Sequence, residues 1–454
     1  MTRQSFFAAS VALLLLMTSC KLMPKQEQAT AQSGAYPTWI AQSNIYEVNL
    51  RQYTPEGSFK AFEASLPRLK EMGVDVLWFM PITPISITDR KGVLGSYYAV
   101  ADYTAVNPEF GTMDDWKALV KKAHELGMKV ITDWVANHTG ADHRWLQQQP
   151  DFFVKGKDGK PRYAFDWSDT RELDFWNPVL HDSMIHAMEF WVKETGIDGF
   201  RCDVAAEVPR SFWEKAIRKL KNTKPDIFML AEADVAWIHD AGFHASYGWD
   251  AFSKMKQVAR GEASARVLDT VLRHMDESYA SNAIKMYFTS NHDENSWNKA
   301  DYATMPGAVH APFAVLTQTW KNALPLIYSG QEEPFLDSLS FFYKDTIRFE
   351  KYLRAPFYQT LLRLRKGNSA LAVDAAYRKI KSNRDDAIYA FMRSQGKSKV
   401  LVVLNLSGAV QDFQLQDAAV NGKYTNVFGG AQEKIDTAFN MQLPAWGYFV
   451  CEQR

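Results

Sequence analysis

The sequence predicts a parallel (β/α)8 TIM barrel with a small subdomain inserted after its third strand and an antiparallel β domain behind it. Three observations carry that expectation. Seven short, almost continuously apolar runs recur between residues 44 and 332, with helical periodicity between them. Polar residues collect at the carboxyl ends of those runs. From about residue 373 the pattern changes to short alternating runs separated by Gly, Asn and Asp.

The runs are NIYEVNL (44–50), VDVLWFMPI (74–82), KVITDWVANH (129–138), IDGFRCDVA (197–205), IFMLAEA (227–233), IKMYFTSNHD (284–293) and PLIYSGQE (325–332). Parallel strands covered on both faces need such continuity. One helix reads clearly between the second and third runs. Thr112 and Asp115 form a capping-box-like start, Trp116, Leu119, Val120 and Ala123 follow at helical spacing, and Gly127 closes it. A second helix is expected over roughly 179–195, ahead of Gly196. An eighth strand must lie within 234–282, where YGWDAF (247–252) is a poor match.

Strand–helix alternation fits either a barrel or an open sheet. The polar rim favours the barrel, because Asn137, His138, Asp203, Glu232, His292 and Asp293 all follow apolar runs. Residues 139–177 are too long for a βα loop and carry the turn-rich KGKDGKP, so they read as an inserted subdomain. The expected division is a barrel over 39–370 and a C-terminal β-sandwich over 371–454.

The N-terminal end reads differently. Arg3, the apolar stretch FFAASVALLLLM and small residues before Cys20 make a signal peptide over 1–19. MTSC resembles a bacterial lipobox, which makes Cys20 a lipidation site and 20–38 a polar tether to the cell envelope. Periplasmic or secreted release is the alternative. Cys202 and Cys451 are expected to be buried as small apolar residues. The 454 residues carry 52 basic and 52 acidic side chains, without a basic block, which argues against nucleic acid as a partner. A monomer is expected.

The rim segments resemble the ordered motifs of the α-amylase family of glycoside hydrolases. DWVANH (133–138), GFRCDVAAE (199–207), LAEA (230–233) and FTSNHDEN (288–295) match four motifs in order. GSYYAVADYTAVNPEFGT (95–112) and YSGQE (328–332) resemble two further stretches, and the likeness runs over roughly residues 40–370. It implies retaining cleavage of α-1,4-glucosidic bonds in starch, maltodextrins or related α-glucans. No organic cofactor is implied.

Glycosidic cleavage uses one ionised carboxylate and one proton-bearing carboxyl. Arg201 and Asp203, two apart on a strand, share a face, so the guanidinium would keep Asp203 charged as the nucleophile. Alone, such a pair also fits a structural salt bridge. Glu232 ends an apolar strand, where partial burial suits a general acid/base. By the resemblance, Asp293 is the third acid, gripping sugar hydroxyls. His138 and His292 bind hydroxyls, and Tyr98, with Tyr97 as its competitor, stacks on the sugar. Asp133 reads as a structural rim residue.

Many relatives carry Lys and His where this chain has Ala206 and Glu207, which leaves the leaving-group side open. Asn137 matches a common calcium ligand, with Asp174 as a second candidate oxygen donor. A glucanotransferase or trehalose-forming enzyme would use the same acids. Other classes are a carbohydrate-binding scaffold without catalysis and a metal-dependent hydrolase with His138, His292 and Asp293 as ligands.

Overall fold

The computed structural model describes residues 36–299, 305–335 and 337–454. The signal peptide, Cys20 and most of the tether lie outside the described residues.

Every apolar run becomes a strand. β1 (Ile45–Val48), β2 (Val76–Phe79), β3 (Lys129–Trp134), β4 (Gly199–Cys202), β5 (Phe228–Ala231), β6 (Ala245–Tyr247), β7 (Ile284–Tyr287) and β8 (Ala323–Tyr328) pair in sequence order, and β8 returns to β1 to close a parallel barrel. The strands are shorter than the runs, because the polar tail of each run leaves the ladder and becomes rim.

The strand within 234–282 differs from expectation. It is Ala245–Tyr247, and YGWDAF contributes only its first residue. Gly248 turns the chain against Tyr287, where an added Cβ would sit 2.6 Å from the ring, and Trp249–Ala259 is helix. Three residues are too few to show a strand period.

Both barrel faces are apolar because neighbouring residues serve different cores. In β2, Leu77 and Phe79 pack with the outer helices, whereas Val76 and Trp78 belong to the second cluster with Ile45, Ile131 and Leu230. The helix Met113–Glu125 has the expected capping box, with the Asp115 amide on Thr112 Oγ1 at 3.2 Å and the Thr112 amide on Asp115 Oδ2 at 2.9 Å. The helix Pro178–Thr195 is capped by Asn177 and ended by Gly196 at φ +72°.

Past β3 the chain rises from the carboxyl end of the barrel. His138–Gly140 pairs antiparallel with Thr170–Glu172, and the short helix Trp145–Gln148 lies between them in sequence.

Behind the barrel stands a six-stranded antiparallel sheet in the order Ala376–Ile380, Ile388–Gln395, Ser398–Asn405, Tyr448–Gln453, Gly422–Asn426, Gln432–Ile435. Gln411–Gln414 and Asn440–Leu443 form a separate two-stranded ribbon. The central strands are buried on both sides instead of alternating between core and solvent. Tyr389, Phe391, Val400 and Val402 face the barrel cluster that contains Phe313 and Leu364, while Ala390, Met392, Leu401 and Val403 face Phe413 and Met441. Cys202 and Cys451 are free and buried, as expected. Among the described residues no helix is long and apolar enough to cross a membrane.

Candidate active site

Strand register brings the rim residues together. Asp133 on β3 and Arg201 on β4 are paired positions, so both project into the barrel mouth. Asp203 follows β4 and Glu232 follows β5, each still held by a ladder bond, from the Asp203 amide to the Trp134 carbonyl and from the Glu232 amide to the Cys202 carbonyl. Gly199 permits this close pairing, since a Cβ there would sit 2.1 Å from the Phe228 carbonyl oxygen.

Arg201 is fully buried and organises the centre. Its Nη1 donates to Asp203 Oδ1 at 2.8 Å and to Asp133 Oδ1 at 2.9 Å, and its Nε donates to the Tyr247 hydroxyl at 3.0 Å. Nη2 lies 3.0 Å from Glu232 Oε2, but off the hydrogen-bond axis, so that contact is ionic only. Trp78 and Tyr247 lie under the guanidinium, at 5.1 and 5.4 Å from its carbon. One positive charge therefore serves three carboxylates.

Burial, opposed by the shared cation, sets the protonation. Burial pushes Asp203 up to about 6 against the pull of Arg201, so the arginine limits the rise and does not bring the carboxyl below its ordinary range. Asp203 is still mostly ionised at neutral pH. Burial pushes Glu232 further, to about 7, with Arg201 again opposing and Asp203 and Asp293 adding to the rise. The two acids are ordered as a nucleophile and a proton donor require.

Val204 sits between them in chain and function. Its φ of +35° is in the left-handed region, which costs a β-branched residue on the order of 1–3 kcal/mol. That conformation points its amide at Glu232 Oε2, at 2.9 Å.

A second set of groups borders the first. Tyr98 donates its single hydroxyl proton to Asp133 Oδ2 at 3.0 Å, so it accepts from His292 Nε2 at 2.7 Å. The other ring nitrogen, Nδ1, lies 2.6 Å from Glu47 Oε1. Both ring nitrogens then carry protons. Burial opposes that charge, but Asp293 and Glu47 outweigh it and hold His292 up at about 9. Asp293 Oδ2 lies 3.3 Å from His292 Nε2. His138 is the opposite case, because burial lowers it to about 3, leaving a neutral ring whose Nε2 has no protein partner.

These groups line one cavity of about 440 Å3. Asp203, Glu232, Asp293, Tyr98, His138 and His292 all border it. Arg201 lies beneath them, and Tyr97 is turned away, donating to Asn49 Oδ1 at 3.0 Å. Asp133 belongs to the site as a positioning residue, bonded to both Arg201 and Tyr98. Sequence reasoning missed Glu47 altogether, although a lone carboxylate inside the apolar NIYEVNL was a usable signal. It also missed Lys91, Trp167, Phe341 and Phe342 on the cavity wall.

Asn137 and Asp174, the two candidate calcium donors, do not border one cleft. Asp174 Oδ1 accepts from the Trp176 amide at 3.0 Å, and the cleft at Asn137 does not include Asp174. Glu172 in that cleft is held by both ends of the Arg162 guanidinium. Among the described residues no three or more His, Cys, Asp or Glu side chains gather as a metal site, and His292 has both nitrogens engaged.

The α-amylase catalytic-domain family model matches residues 34–369, and the model of the α-amylase SusG C-terminal domain matches residues 388–448. The α-amylase MalA of Haloarcula japonica is 26% identical over 435 residues, covering 90% of this chain and 63% of its own length. Neopullulanase 2 of Thermoactinomyces vulgaris is 30% identical, covering 81% of this chain and 65% of its own length. This chain thus spans just under two thirds of those two relatives. Among solved structures, a noncanonic maltogenic α-amylase from Thermotoga neapolitana superposes with a TM-score of 0.82 at 28% identity, covering 91% of this chain and 99% of the other.

Proposed function

The chain belongs to the α-amylase family, and from that premise we propose that it is a retaining glycoside hydrolase that cleaves α-1,4-glucosidic bonds of starch, maltodextrins or related α-glucans. The observation that carries the reading is Arg201, one buried guanidinium with Asp203 on one terminal nitrogen and Glu232 beside the other.

In this reading Asp203 attacks the anomeric carbon as Glu232 protonates the departing glycosidic oxygen, and the sugar becomes an ester of Asp203. Glu232, now ionised, takes a proton from water, and that water cleaves the ester. Two inversions return the original configuration. Asp293, His138 and charged His292 are placed to hold hydroxyls of the reacting sugar, and Tyr98 to pack on its apolar face. The Val204 amide favours the ionised form of Glu232, the form needed for the second step. No step uses a metal.

The test is digestion of starch, maltooligosaccharides and pullulan with product anomers followed by NMR. α-configured product supports the reading, and β-configured product contradicts retention. Products longer than the substrate would assign the same centre to transglycosylation. The lipobox-like MTSC leads us to include anchoring at the cell envelope through Cys20 in the proposal, which predicts that Cys20→Ala moves the protein from the membrane to the soluble fraction.

A further inference from the structure

Resting on that reading, we propose that the enzyme works from the non-reducing end of its glucan and releases short fragments, because a loop and an aromatic wall bridge the cavity beside Tyr98.

The general acid fixes the direction. It protonates the oxygen of the leaving fragment, so the reducing-end part of the chain departs past Glu232, and the non-reducing part lies on the opposite side of Asp203. The structure treats the two sides differently. On the acid side the cavity runs on through Trp167, Val204 and Glu232 into a cleft shared with Phe165, Ala206 and Glu207. Phe165 and Glu207 also border a third cleft that extends to Lys160 and Arg162. The leaving part of a glucan has neighbouring clefts on this side to lie in.

The other side is bridged. Residues 86–95 leave the barrel rim and bind first to the segment after β3. Asp142 accepts from Ser86 Oγ at 2.7 Å and from the amides of Ile87 and Thr88 at 2.7 and 2.9 Å. Asp89 pairs with Arg171, and Lys91 Nζ reaches Asp169 Oδ1 at 3.2 Å, a pair that lines the cavity. The loop then docks on the segment after β8. The Leu94 amide donates to the Phe342 carbonyl at 3.0 Å, and Gly92 lies so close that a Cβ would meet Phe342 Cβ at 2.5 Å.

Aromatic rings complete the wall. Phe341 lies parallel to Tyr98, with centroids 6.1 Å apart at 13°, and touches Trp297 at 5.3 Å. Buried Arg51 holds the seam by donating to the Gly95 and Phe341 carbonyls at 3.1 and 3.2 Å. A sugar beyond Tyr98 meets this wall, and in the proposal the glucan ends there. Glucose or maltose is the fragment that such a space releases.

The experiment compares p-nitrophenyl α-maltoheptaoside with the same substrate blocked by a 4,6-O-ethylidene group on its non-reducing glucose. The expected result is glucose or maltose as the first product, with the blocked substrate cleaved at least a hundredfold more slowly. The double variant Lys91→Ala/Phe342→Ala should narrow that ratio at least tenfold. Equal cleavage of both substrates by the native enzyme, with fragments of mixed length, overturns the proposal. An unchanged ratio in a folded double variant overturns the assignment of the wall. No cleavage of either substrate by folded native enzyme removes the glucan-hydrolase reading itself, and the inference falls with it.

Discussion

Glu47 on the first strand of the barrel and His292, which opens the helix after the seventh, form a buried ion pair, Oε1 to Nδ1 at 2.6 Å. Glu47 is fully buried, and its second carboxylate oxygen has no partner. Its charge thus acts on the imidazole more than on anything else nearby. Glu47→Gln keeps the shape and removes that charge, leaving Asp293 to favour the imidazolium and Arg201 and burial to oppose it. We expect the His292 titration, followed by 15N NMR, to fall from about 9 toward the ordinary histidine range. An unchanged titration contradicts the pairing.

The order of the two acids sets the pH profile. In the proposed mechanism Asp203 acts ionised, so kcat/KM should fall as pH drops through about 6, and Glu232 acts protonated, so it should fall again as pH rises through about 7. The acids interact through Arg201, and the two limbs belong to the pair. The expected curve is a narrow bell with its maximum between those values. A flat profile from pH 5 to 9 contradicts it.

The roles separate by leaving group. Asp203→Asn and Glu232→Gln should each lower turnover of maltooligosaccharide by about 10²–10⁴-fold or more, with folding largely kept. α-Glucosyl fluoride needs no protonation of its leaving group. Glu232→Gln should therefore recover much of its first-step rate on the fluoride, and Asp203→Asn should not. Equal rescue of both variants would reverse the assignment.

Removing Arg201 should cost stability in a pH-dependent way. Arg201→Met leaves Asp133, Asp203 and Glu232 buried without their cation, a loss of about 3–5 kcal/mol. All three already have raised pKa values in the folded state, so the folded protein binds protons that the unfolded chain releases. Stability of the variant should therefore fall as pH rises, and its Tm deficit should be larger at pH 8 than at pH 5. A deficit that does not change with pH contradicts the shared-charge account.

Much of this centre was legible in the sequence because short-range rules apply at its residues. Arg201 and Asp203 share a face by strand period alone, and Glu232 and His292 follow apolar runs that became strands. What stayed hidden depends on closure of the barrel. Glu47 meets His292 only because the ring brings the two strands to one mouth, and no spacing rule joins residues 245 apart in sequence. The same closure made Arg201 a shared cation, and the expectation that paired it with Asp203 did not include Asp133 or Glu232. The wall of Lys91 and Phe342 joins two loops from distant strands, which no local pattern announces. In the C-terminal sheet, Val400–Val403 reads as one apolar run because its alternate residues fill two different cores.

In the proposed reaction Asp203 forms a covalent bond to the sugar. A 5-fluoro-α-glucosyl fluoride, which slows the second step, followed by protease digestion and mass spectrometry, tests it directly. A single fluoroglucosyl adduct on Asp203 is expected. An adduct on Glu232 or Asp293, or no adduct while the enzyme turns α-glucan into β-configured product, would contradict it.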